Sequence, residues 1–84
     1  MTEEKLPPSD QLLLIMHNLG IVHENRSQIV NELAKITKIP IVQLSEILKR
    51  HEESGYIKSV KDHEGLKRYL LTGKGIIRVS STFT

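Results

Sequence analysis

Apolar residues recur at helical spacing through the first two thirds of the chain and at strand spacing after it. Leu12, Ile15, Met16 and Leu19 lie three or four residues apart and predict one core-facing helix. Pro8-Ser9-Asp10 opens it: Ser9 is a suitable cap, and Asp10 suits the positive end of the helix dipole. Gly20 stops the helix and Ile21 covers its end. Residues 21–26 connect to a second helix over 28–37, with Ser27 as its cap and Ile29, Val30, Leu33 and Ile36 on one face. The break at Lys38-Ile39-Pro40 is short, because proline cannot continue a helix but is favoured at the start of a new one. A third helix follows over 41–54, with the stripe Leu44, Ile47, Leu48 and His51 and Gly55 as its stop.

After Gly55 the period changes. Residues 56–61 read as a strand, Asp62-His63-Glu64-Gly65 as a turn with glycine last, and residues 66–71 as the returning strand of a β-hairpin. In the last segment, GKGIIRVSSTFT, the residues Ile76, Ile77 and Val79 are apolar, but β-branched side chains and serines oppose a helix. A short C-terminal helix, a strand or no regular structure all stay open. The predicted fold class is α+β: a domain over 9–84 behind a tail at 1–8.

Composition narrows the function. Eighty-four residues make one domain with a thin core, to which a partner subunit would add. At 38% hydrophobic and 26% charged it has the composition of a folded domain. The absence of cysteine excludes disulfides and cysteine-bound zinc. The opening MTEEKLPPSD is unlike a signal peptide, and the longest apolar run, Leu12 to Met16, is far too short to span a membrane, so a cytoplasmic protein is expected. The four histidines, at 17, 23, 51 and 63, lack metal-ligand spacing; His51, on an apolar stripe, reads as a core histidine. Gly73-Lys74-Gly75 lacks the frame of a phosphate loop, and no Ser/His/Asp set assembles. No enzyme activity, metal or cofactor is expected.

Charge is unevenly placed. Residues 1–37 carry three Lys/Arg against five Asp/Glu, a net of −2, whereas residues 38–84 carry nine against five, a net of +4. A basic half suits a polyanionic partner.

The order helix, helix, tight turn, helix, hairpin holds one helix across another with a face free. Leu33-Ala34 in the second helix, then Leu48, Glu52, Gly55, Tyr56 and Ile57 at the end of the third, and Tyr69-Leu70-Leu71-Thr72-Gly73-Lys74-Gly75 after the hairpin, resemble the winged helix-turn-helix pattern of archaeal and bacterial transcription regulators. The likeness covers about residues 9–78. In that pattern the turn position occupied here by Lys38 is often glycine. The resemblance implies a winged helix fold and duplex DNA as partner, with terminal helices that form a homodimer.

On the third helix, Ile47, Leu48 and His51 stay within about 60° of Leu44 at about 100° per residue, so Val42, Gln43, Ser45, Glu46, Lys49 and Arg50 point away. Val42 suits a thymine methyl, Gln43 an adenine and Glu46 a cytosine, whereas Lys49 and Arg50 suit phosphates. Lys38 in the turn and Lys58, Lys61, His63, Lys67 and Arg68 on the hairpin complete the expected DNA surface, although alternation keeps the hairpin cations from sharing one face. Lysine on an edge strand also serves simply to prevent aggregation. Leu13 and Leu14 lie about 100° and 200° round the first helix from Leu12, more apolar surface than a small domain covers. With Ile76, Ile77 and Val79 they form the expected dimer interface. The expected function is sequence-specific DNA binding by a small transcriptional regulator; the alternative is a winged helix that binds protein within a larger assembly.

Overall fold

A computed structural model describes residues 6–83. Its elements run α1 (Pro8–Asn18), a 3-10 turn (Glu24–Arg26), α2 (Val30–Thr37), α3 (Ile41–Ser54), β1 (Ile57–Lys61), β2 (Lys67–Leu71) and α4 (Gly73–Phe83). Residues 1–5, most of the expected tail, lie outside the described residues, and helix already begins at Pro8.

The helix stops act through backbone geometry. Gly20 takes a left-handed φ of 71°, and the amides of Gly20 and Ile21 donate to the carbonyls of His17 and Met16, closing the end of α1 under Ile21. Gly55, at φ 85°, does the same for α3, with the Tyr56 amide on the His51 carbonyl. Tyr56 is thereby committed to the cap, and β1 starts one residue later than expected. Lys38 also adopts a left-handed φ, 65°, at the end of α2, a conformation in which glycine would be unstrained.

The helix starts differ from expectation. Pro7 caps α1, and Ser9 lies inside the helix. Helix α2 starts at Val30, not residue 28, because Ser27 Oγ donates to the Glu24 carbonyl at 2.6 Å and closes the 3-10 turn instead of capping α2.

The hairpin pairs Ile57 with Leu71 through to Lys61 with Lys67, antiparallel. A third backbone segment joins it. Gln28 and Tyr69 exchange both amide bonds, at 3.1 and 2.8 Å, and the Leu71 amide donates to the Ile21 carbonyl. The sequence carries no strand signal at Gln28, since one bridged residue has no period.

One core joins Leu12, Leu13 and Met16 of α1, Leu33 of α2, Leu44, Ile47 and Leu48 of α3, Ile57, Leu70 and Leu71 of the hairpin and Val79 of α4. Helix α1 packs against α4 and β2 as well as α2, so two of its sides are covered. Leu13 is therefore 1% exposed, while Leu19, expected in the core, is 45% exposed. This corrects the expected interface: Leu13 and Val79 belong to the chain's own core and cannot meet a partner. Ile15 is half-buried and Ile36 lies at the surface.

His51 is buried where α3 passes the start of α1. Its Nε2 donates to the Ser9 carbonyl at 3.0 Å, which fixes the tautomer because a carbonyl only accepts. Burial lowers its pKa below the ordinary histidine value, against the opposing pull of that bond and of Asp10. The unfolded chain therefore takes up a proton at higher pH than the folded one. Stability should be full above about pH 6.5 and should fall as pH drops through the window below it. Urea midpoints at pH 5 and 7.5 should differ more for the wild type than for His51→Leu, which cannot titrate there.

Candidate nucleic-acid interface

Helix α3 is 14 residues long, about 21 Å, and only one side of it is buried. Leu44, Ile47, Leu48 and His51 face the core, and Val42, Gln43, Ser45, Glu46, Lys49 and Arg50 are all exposed. The expected orientation of the helix is thus the observed one. Glu46, Lys49, Arg50 and Glu53 line a shallow groove on the outer face.

The wing meets α3 through Glu52. Ser59 Oγ donates to its carboxylate at 2.8 Å, and Lys67 Nζ lies 3.5 Å from the other oxygen. Sequence reasoning gave Glu52 only a place in a motif; here it ties the end of α3 to both strands. Ser59 and Tyr69 share a strand face with the directly paired Lys61 and Lys67, and Lys67 also lies 5.6 Å over the Tyr69 ring. Lys58 falls on the opposite face with Arg68.

Arg68 is committed inside the domain. Its Nε donates to Asp62 Oδ2 at 2.9 Å and its terminal nitrogen to the Ser27 carbonyl at 3.0 Å. The other oxygen of Asp62 accepts the amides of Glu64 and Leu66, shaping the turn that Gly65 closes at φ 80°. The Arg68 guanidinium, with these amides, holds the Asp62 carboxyl below its ordinary pKa. Arg68 therefore builds the wing and is not free for phosphate. His63, at the tip, is exposed.

The ion pairs among the described residues are Lys35–Glu32, Lys67–Glu52, Arg68–Asp62 and Arg78–Asp10. None uses Lys38, Lys49, Arg50, Lys58 or Lys61. The described residues hold no cluster able to bind a metal ion, and no helix among them is long and apolar enough to cross a membrane.

A helix-turn-helix with an exposed second helix and a hairpin docked beside it defines a winged helix. A family model, the winged helix DNA-binding domain, matches residues 9–75, and the chain belongs to that family. Solved structures agree on the fold. A protein from Ralstonia eutropha, described as a candidate DNA-binding protein, superposes with a TM-score of 0.78 at 20% identity, covering 96% of this chain and 100% of its own. The DNA-binding TubR fragment from Clostridium botulinum gives 0.76 at 21% identity, covering 96% and 98%. MepR from Staphylococcus aureus, solved in complex with DNA, gives 0.71 at 20% identity; the match covers 90% of this chain and 60% of MepR. Among curated proteins no sequence matches this chain significantly.

Proposed function

We propose that the domain is a transcriptional regulator that recognises a short duplex site, with α3 in the major groove and the wing tip on the adjacent backbone. The observation that carries this reading is where the unpaired cations lie. Lys38, Lys49, Arg50 and Lys61 are exposed and outside every ion pair among the described residues, and they sit on the helix-turn-helix and the wing. Of the remaining cations, Lys35 and Arg78 are matched by carboxylates, Arg26 donates to the Leu19 carbonyl, and Lys74 lies over the Tyr56 ring. Exposed cations that displace condensed counterions give salt-dependent affinity. Lys67 and His63 extend the surface; Lys58, on the other strand face, and Arg68, held by Asp62, are left out of it.

The test is fluorescence anisotropy with a random-sequence duplex across a salt series. About four or five phosphate contacts per subunit predict a log–log slope of about −4. A flat response, or no binding at low salt, refutes DNA as the partner and favours a protein-binding winged helix.

The same reading includes a homodimer, which would set two α3 helices about 34 Å apart on a two-fold site. With Leu13 and Val79 in the core, the residues left of the expected interface are Leu14 and Ile76, both half-buried, and Ile77, 67% exposed. Sedimentation should find a dimer at tens of micromolar and a monomer for the Leu14→Glu, Ile77→Glu double variant. A wild-type monomer, or a variant that still dimerises, refutes this interface.

A further inference from the structure

We infer that the first turn of α3 reads a thymine and a neighbouring adenine, with Val42 seated on the thymine 5-methyl and Gln43 bonded to the adenine edge; this rests on the proposed docking of α3. Val42 is 82% exposed, the most exposed of the large apolar residues in the described chain. Such a side chain gains nothing from folding; Ile41, 46% exposed, lies about 100° round the helix from Val42. Its neighbours on the outer face are Gln43, Ser45 and Glu46. The nearby apolar hollow of Ala34, Ile39, Pro40 and Ile41 does not include it. A single methyl-sized contact therefore fits Val42 better than a broad protein interface does.

The adjacent chemistry agrees. Gln43 is exposed and engaged in no side-chain hydrogen bond among the described residues, so both its amide donor and its carbonyl are free for the N6 and N7 positions of adenine. Residues 41–48 contain no lysine or arginine, the side chains that bind the O6 and N7 acceptors of guanine. The first cations of α3, Lys49 and Arg50, come roughly 10 Å further along the axis, where they meet backbone. The end of the helix that enters the groove is thus apolar and amide-bearing, and the end that leaves it is cationic.

The test starts from a random-sequence duplex pool, from which bound molecules are sequenced to give a preferred site. Each thymine of that site is then replaced by deoxyuridine, which removes only the methyl. One replacement in a single half-site should weaken wild-type binding about fourfold, the loss expected for one buried methyl. Val42→Ala should be insensitive to that same replacement, and Gln43→Ala should relax the preference for an adenine beside it. The inference is overturned if no thymine methyl matters, or if Val42→Ala remains as sensitive as the wild type. Either failure would leave intact both salt-dependent binding to the random pool and its weakening by Lys49→Glu with Arg50→Glu, whereas failure of the α3 docking removes that weakening or the binding itself.

Discussion

Gly75→Ala should destabilise the domain by about 3 kcal/mol and leave little folded protein at moderate urea. A Cβ at this position would lie 2.3 Å from the Tyr56 carbonyl oxygen and 2.7 Å from Leu71 Cδ1. The first contact is with backbone that cannot rotate aside. That carbonyl already accepts the Thr72 amide, and Thr72 Oγ1 donates to the Gly55 carbonyl at 2.6 Å and accepts the Gly75 amide. The start of α4 is thus pinned against the corner where α3 turns into β1. Backing the corner away would shift the helix proposed to contact DNA. Gly73→Ala is the matched control, since a Cβ there meets nothing within 4 Å; it should be neutral or slightly stabilising because alanine favours helix. Urea unfolding followed by circular dichroism separates the two. Equal midpoints would mean that α4 does not sit against this corner.

The second large effect is on binding. Lys49→Glu with Arg50→Glu should weaken affinity for duplex DNA roughly a hundredfold at moderate salt and reduce the magnitude of the salt slope by about two. Both residues are exposed and outside the ion pairs of the described chain, and Glu46 and Glu53 beside them already make the outer face of α3 neutral in sum. Two reversals would turn that face strongly acidic. Stability should change by less than about 0.5 kcal/mol, because no core contact is lost. An anisotropy titration reads the affinity. Unchanged binding by the folded variant would place the DNA surface elsewhere.

The parts of the fold legible in the sequence are those with local punctuation. Helix α3 could be bounded at residues 41–54 because Pro40 and Gly55 flank a clear apolar stripe. The hairpin was legible from its alternation and from Asp62 to Gly65. Helix α4 was not, because Ile76, Ile77 and Val79 are poor helix formers; Thr72 starts the helix and packing against α1 holds it. The burial of Leu13 depends on that helix. Local pattern alone leaves the second side of α1 bare, whereas Val79 and β2 cover it. The same holds for charge. The exposed side of α3 followed from helical geometry alone, but Arg68 is withdrawn by a carbonyl 41 residues away, a partner no local pattern could show.

Amide chemical shifts of the labelled protein, recorded as duplex DNA is added, test the docking of α3 most directly. The largest changes should fall on Val42, Gln43, Glu46, Lys49 and Arg50, with a second group at Lys61 and His63, and should leave the exposed residues of α1 and α2 near Leu19 and Ile36 unmoved. Changes centred on Leu19 and Ile36, with α3 unaffected, would contradict it.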